Sequence, residues 1–258
     1  MPEGLEAEIW CRSAQPLVGR TVASMWYDER VAPDGLSHRL IGAEIRAVRR
    51  AGKVLVVDTD GPSLGLHFGM TGRLVIDGRA PIERLEYASG ADRAEWDRLR
   101  LDTTPSMPDG PALRMNDPRR LGRLSLDPDL EHLGPDLLTV TASQLAAALK
   151  NRHVAVKTAL LDQRVVAGLG NLCADEVLFW AGIAPSRPSD ELDEPELEAI
   201  SRACRERLPL MLEAGGSTHG ELSPEVRAAV GPCPLDGGQL VRASLNGRTA
   251  VWCGTHQR

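Results

Sequence analysis

The hydrophobic period of this chain switches once, near residue 130, and that switch limits its fold more than any other feature. Before it, apolar residues come in short strand-like runs, over residues 21–27, 44–48, 53–58, 63–68, 73–76, 98–102, 112–116 and 123–126. Arg50-Ala51-Gly52 and Thr71-Gly72 supply turns between some of them. Short strands at this spacing predict a β-sandwich or barrel-like domain. A helix precedes them. Pro2 suits a helix start, Glu3 and Glu6 suit its positive end, and Leu5, Ile9, Trp10, Ala14 and Leu17 form a helical stripe.

Beyond a linker rich in Asp and Pro at 127–136 the period becomes helical. Thr141 with Gln144 reads as a capping box opening a helix to about residue 150. A second helical stretch covers 154–161. Asn171 is the expected N-cap of a third over 172–180, and Asp193 with Pro195 and Glu196 opens a fourth to about 212, closed by Gly215-Gly216-Ser217. The period then returns to two. Residues 240–244, Asn246-Gly247 and 248–252 carry a β-hairpin signal, because Asn-Gly tolerates the positive φ of a type I′ turn. The expected class is therefore α+β and multidomain: a β-sandwich with an N-terminal helix (1–130), a helical domain (131–217) and a C-terminal hairpin with cysteine-bearing turns (218–258).

Composition narrows the class. Apolar residues make up 42% and charged residues 26%, enough for a core and against wholesale disorder. No apolar run approaches the roughly 18–20 residues of a membrane span. The start is acidic and lacks the apolar stretch of a signal peptide, so the expected setting is the cytoplasm, with reduced thiols. Cys11, Cys173 and Cys204 fall in helical patterns as buried apolar residues. The net charge of −6 argues against a generic polyanion binder, but residues 188–198 alone hold six acids and no base. The rest of the chain is neutral, which leaves room for local basic patches. Only three of the 30 basic residues are lysines, so each lysine is informative.

Three constellations carry chemistry. The first is Met1-Pro2-Glu3. A methionine before proline is commonly trimmed, leaving a secondary amine whose pKa near ~7.7–8.0 keeps part of it nucleophilic at neutral pH. Such an amine can attack an aldehyde-like sugar carbon, with Glu3 beside it exchanging protons. The competing reading is a helix-starting proline among acidic neighbours. The second is Gly168-Leu169-Gly170-Asn171, where the glycines allow close approach to a phosphate and Asn171 can donate to it; a plain helix connector is the alternative. The third is Cys233-x2-Asp236 and Cys253-x2-His256, two knuckles separated by 16 residues, a zinc-ribbon spacing with an uncommon donor set. A metal-free hairpin is its rival. Two basic clusters add to these: Arg114, Arg119, Arg120 and Arg123, and Arg46, Arg49, Arg50 and Lys53.

With Met1-Pro2-Glu3-Gly4, Ala51-Gly52-Lys53, His67-Phe68-Gly69-Met70-Thr71-Gly72, Asp117-Pro118-Arg119-Arg120-Leu121-Gly122 and the stretch from Lys157 through Gly170-Asn171 to Pro185 in order, the chain resembles the formamidopyrimidine-DNA glycosylase/endonuclease VIII superfamily. The resemblance spans essentially the whole chain. It implies a helix–two-turn–helix domain in the middle and a zinc-finger-like hairpin at the end, with Zn2+ on Cys233, Asp236, Cys253 and His256. It implies a bifunctional DNA glycosylase and abasic-site lyase of base excision repair, acting as a monomer on double-stranded DNA with a damaged base or abasic site. Pro2 would be the Schiff-base nucleophile, Glu3 the acid/base and Lys53 part of the catalytic, phosphate-binding face. His67, Asn171 and Arg248 would grip phosphates, and Met70, Arg119 and Leu121 would fill the vacated base stack. Lys157 would lie near the damaged base. The physics agrees: extruding a base costs a few kcal/mol, and the hole needs an apolar or stacking filler.

The chain also departs from the family. Asp236 and His256 stand where cysteines are usual. Leu121 replaces the phenylalanine of the purine-oxidation branch, and the 15 residues between Ser217 and Cys233 are short for that branch's lid. The rival function is a non-catalytic damaged-DNA-binding protein that keeps the scaffold.

Overall fold

The computed structural model describes residues 2–82, 85–88 and 90–258. They fall into two units, Pro2 with Glu6–Leu130, and Glu3–Leu5 with Glu131–Arg258.

The first unit takes up helix α1 (Gly4–Ser13) from Glu6 onward. Strand β1 (Thr21–Tyr27) and a one-turn helix α2 (Leu36–Leu40) follow. Then come β2 (Ile45–Ala51), β3 (Val54–Thr59), β4 (Leu64–His67), β5 (Arg73–Ile76), β6 (Asp97–Thr104), β7 (Leu113–Asn116) and β8 (Arg123–Leu126). They form two four-stranded antiparallel sheets, ordered β1-β6-β7-β5 and β2-β3-β4-β8. Alternation does what it predicts. Leu55, Val57, Leu64, Leu66 and Leu124 of one sheet share a buried cluster with Val22, Leu74, Leu99, Leu101 and Leu113 of the other. Each fully buried aliphatic side chain contributes about 1.5–3 kcal/mol. The helical stripe closes this core, with Trp10 against Phe68 at a ring-centroid distance of 4.0 Å. Helix α2 is absent from the sequence reading because five residues are too few to reveal a helical period.

The second unit holds α3 (Ala142–Leu149), α4 (Val156–Leu160), α5 (Asn171–Ala181), α6 (Glu194–Ala214) and α7 (Pro224–Ala229), then the hairpin β9 (Leu240–Leu245) and β10 (Arg248–Cys253). Thr141/Gln144 and Asp193/Glu196 form the expected capping boxes on α3 and α6. Asn246 and Gly247 turn the hairpin at φ +48° and +74°. The start of α5 differs from expectation: Gly170 is its N-cap and Asn171 its first helical residue. Phe179, Leu222, Leu240, Val251 and the two cysteines of the finger form a small core under the hairpin. Cys11, Cys173 and Cys204 are buried and unbridged, as expected, and burial pushes the Cys204 thiol up to about 12.

Candidate functional site

In the first unit the strand register assembles a row of basic side chains. Lys53 follows the β2–β3 turn, Val54 pairs with His67, and His67 pairs with Arg123. Lys53, His67 and Arg123 therefore stand at one end of the sheet. The His67 ring lies at the surface, yet its pKa is held below the ordinary histidine value, first by desolvation and then by Lys53 and Arg123. A group that already feels two cations is a receptive place for an anion.

Two loops project from the same end. One follows β4 and carries Met70; the other precedes β8 and carries Arg119 and Leu121. Gly69 lets them touch, because a Cβ there (φ +59°) would lie 2.4 Å from the Leu121 carbonyl. The second loop is organised by Asp117, which is fully buried. Its Oδ2 accepts the backbone N–H of Leu121 and Gly122, each at 2.7 Å, and its Oδ1 accepts Arg119 N–H and the Thr71 hydroxyl. Arg98 donates to the Asp117 carbonyl and to Asp28, which also holds Arg120. The loop is thus fixed before any ligand arrives, with Leu121 44% exposed at its tip and Arg119 exposed beside it. Met70 is half-buried. Sequence reasoning singled out Arg119 and Leu121 but missed Asp117, Thr71 and Arg98. The available signal was an aspartate preceding proline, able to collect N–H groups two, four and five residues on.

In the second unit Glu3 is buried, and its carboxylate accepts the backbone N–H groups of Gly170, Leu172 and Cys173 at 2.9, 2.8 and 3.1 Å. These are orphan donors at the positive end of α5, so a side chain distant in sequence caps the helix. The glycines are explained the same way. A Cβ on Gly170 would lie 2.2 Å from Glu3 Cδ, and Gly168, at φ +99°, accepts Gly4 N–H at 2.9 Å. The spacing that reads as room for a phosphate makes room for Glu3 and Gly4. Asn171 keeps a ligand-seeking feature: its Oδ1 is buried without a hydrogen-bond partner. Pro2, next to Glu3, is buried and groups with the first unit.

Lys157 is not presented to solvent. Its ammonium, 1% exposed, lies 2.8 Å from Asp175 Oδ1 and donates to the Thr249 carbonyl. Arg227 pairs with the same carboxylate and reaches the same carbonyl, and Asp175 also accepts Val251 N–H at 3.0 Å. Burial lowers the Lys157 pKa while Asp175 and Glu3 oppose that shift. This cluster ties α4, α5 and α7 to β10, whose first residue is the exposed Arg248. Glu176 adds a second tie by accepting Glu221 and Leu222 N–H, each at 3.0 Å. The short segment after Ser217 is therefore a packed turn of helix fastened to α5.

Cys233, Asp236, Cys253 and His256 converge, with ligand atoms all within 4.8 Å of one another. Three edges measure 3.8 Å (Cys233 Sγ to His256 Nδ1), 3.4 Å (Cys253 Sγ to Asp236 Oδ1) and 3.4 Å (His256 Nδ1 to Asp236 Oδ2). Tetrahedral bonds of about 2.0–2.3 Å give ligand edges of roughly 3.3–3.8 Å, so the set fits a zinc-sized cation. His256 Nε2 is 3.2 Å from the Phe179 carbonyl; donation there turns the Nδ1 lone pair toward the cluster. The Cys233 thiol is pushed up to about 11 by burial and by Asp236, and Asp236 is held at about 2 by hydrogen bonding from that thiol.

The basic clusters divide. Arg46, Arg49 and Arg50 are paired with Glu44, Asp58 and Glu8, and Arg114 is claimed by Asp92 and Asp97.

Comparison with known proteins agrees with this geometry. Residues 1–124 match the family model of the formamidopyrimidine-DNA glycosylase N-terminal domain, and 133–222 match its H2TH domain. A formamidopyrimidine-DNA glycosylase of Paracoccus denitrificans is 36% identical, covering 98% of each chain. The crystal structure of MutM (Fpg) from Thermus thermophilus aligns with a TM-score of 0.80 at 30% identity, over 99% of this chain and 98% of that one. Lactococcus lactis Fpg in complex with abasic-site DNA aligns at 0.81 and 25% identity, over 99% of both. With two antiparallel sheets, a helical unit matching the H2TH model and a finger hairpin in the family order, the chain belongs to the formamidopyrimidine-DNA glycosylase family.

Proposed function

We propose that this chain is a bifunctional DNA glycosylase and abasic-site lyase of base excision repair, acting as a monomer on double-stranded DNA in the cytoplasm. The observation that carries the reading is the prefolded Asp117 loop, which holds Leu121 and Arg119 beside Met70 at the cationic end of a sheet. That arrangement suits a protein that opens a base stack and holds the flanking phosphates.

In this reading the Pro2 amine, freed of Met1, attacks C1′ of the extruded nucleotide, and the damaged base leaves with the glycosidic electron pair. The sugar ring opens to an iminium on Pro2, loss of the C2′ proton expels the 3′ phosphate, δ-elimination with loss of a further sugar proton expels the 5′ phosphate, and water hydrolyses the iminium to free Pro2 and the sugar remnant. Glu3 exchanges protons with the sugar, and its negative charge next to Pro2 favours the cationic iminium. Lys53, His67, Asn171 and Arg248 hold phosphates. Met70 and Leu121 fill the gap and Arg119 bonds the widowed base. Lys157 acts from within the fold, through Asp175 and β10. Zinc on Cys233, Asp236, Cys253 and His256 would supply a structural cross-link under the hairpin that presents Arg248.

Borohydride reduction with abasic-site duplex tests the reading. Protein whose N-terminus is Pro2 should give a covalent band, and Pro2→Gly should lose most of it while duplex affinity stays within a few-fold. No band from the wild type overturns the lyase assignment, and tight binding without nicking leaves a DNA-binding scaffold.

A further inference from the structure

The wedge loop has a second, outer side. A cleft of about 650 Å³ opens there, lined by Val31, Leu121 and Leu124 and by Arg30, Arg39 and Arg123. β8, the edge strand of its sheet, forms one wall, and the segment after β1 forms another through Leu124 N–H to Val31 O at 2.7 Å.

Arginine pairing in the first unit marks this cleft out. Arg12, Arg46, Arg49, Arg50, Arg79, Arg93, Arg98, Arg100, Arg114 and Arg120 all have carboxylate partners, and Arg20 and Arg73 donate to backbone carbonyls. Among the described residues of this unit, four arginine side chains have neither: Arg30, Arg39, Arg119 and Arg123. Three of them line the cleft, and the fourth lies two residues before Leu121. Asp34 is the one acid in the lining. Uncompensated guanidinium groups gathered over an apolar floor call for an anionic ligand with apolar or stacking parts.

We infer that this cleft binds the sugar-phosphate backbone of the DNA strand opposite the lesion, with Arg30 and Arg39 as its phosphate ligands. The inference rests on the glycosylase reading and extends it. Continuity decides the occupant. Leu121, Gly122 and Arg123 belong to both the wedge loop and the cleft wall, so a duplex wedged by Leu121 runs directly past the cleft. In the proposed reading Arg119, two residues before the cleft-lining Leu121, bonds the widowed base, so the strand bearing that base runs past the cleft. Backbone phosphates of one strand recur about every 3.4 Å of helix axis, so more than one lies within reach of guanidinium groups flanking the wedge.

The test is the salt dependence of abasic-duplex binding for Arg30→Ala/Arg39→Ala against wild type, with Arg79→Ala as the control. Loss of two phosphate contacts lowers the slope of log K on log salt by about 1.8, so the affinity gap between variant and wild type narrows by roughly tenfold from 50 to 200 mM. Arg79→Ala leaves the slope unchanged, because Arg79 is exposed and bound to Asp109. Neutral methylphosphonates flanking the widowed base should reproduce the slope loss in wild type and add nothing in the double variant. An unchanged slope in the variant, or equal sensitivity to methylphosphonates in the lesion strand alone, overturns the assignment. Borohydride trapping separates the two readings. Trapping with an unaltered slope removes only the cleft, and no trapping in wild type removes the glycosylase reading.

Discussion

Replacing Asp175 by asparagine tests whether the buried ion cluster holds the second unit together. Asp175 is fully buried and faces Lys157 and Arg227, both nearly fully buried, and both cations also reach the Thr249 carbonyl. With the carboxylate gone, two like charges share one neutral acceptor. Removing one partner of a buried ion pair costs about 3–5 kcal/mol, because the remaining charge is left without compensation. Lys157→Met is different, since Asp175 and Arg227 survive as a balanced pair; the loss is about that of one hydrogen bond, ~0.5–1.5 kcal/mol. Urea unfolding should therefore rank Asp175→Asn well below Lys157→Met. In thermal scans the Asp175→Asn midpoint should drop by at least about 6 °C. Adding Lys157→Met to Asp175→Asn should recover part of the loss, because it removes one of the two stranded cations. Asp175→Asn within about 1 kcal/mol of wild type, or strictly additive single effects, would refute the electrostatic account.

Asn171→Ala and Arg248→Ala should each weaken abasic-duplex binding and flatten its salt dependence by about one phosphate contact; an unaltered slope counts against phosphate contact. Cys233→Ser should release about one zinc per chain by elemental analysis, and a wild type free of zinc would leave the hairpin metal-free. His67 carries a pH prediction. Its lowered pKa means that protonation disfavours the free fold, so its contribution to stability is present above about pH 6.5 and is lost as the pH falls toward the lowered value. A bound phosphate favours the protonated ring, so duplex binding should take up a proton and tighten between about pH 7.5 and 5.5. His67→Gln should abolish that uptake, and an unchanged pH profile in the variant would exclude His67 from the phosphate contact.

The strands were legible because alternation records which face is buried, and Leu64 and Leu66 on β4 point inward as the pattern requires. Capping boxes were legible because both partners lie within four residues. What failed to show in the sequence depends on distant partners. Asn171 reads as a helix cap, but Glu3 supplies the capping carboxylate from far earlier in the chain. Arg46, Arg49 and Arg50 read as a basic cluster until strand pairing and helix packing bring Asp60, Asp58 and Glu8 to them in turn. Lys157 stands out by rarity alone, and only the fold shows that Asp175 and Thr249 surround it. The finger was legible because its spacing is itself the geometric constraint, even with an unusual pair of donors.

The three N–H groups that hold Glu3 also set a molecular ruler. Pro2 is joined to this fastened residue by a single peptide bond, so in the proposed reading covalent geometry bounds how far its amine can lie from the Glu3 carboxylate. One residue inserted between Pro2 and Glu3 would move the amine by up to about 3.8 Å while the anchor stayed in place. In the proposed reading, a change of length at that peptide bond separates the nucleophile from the carboxylate that exchanges its protons.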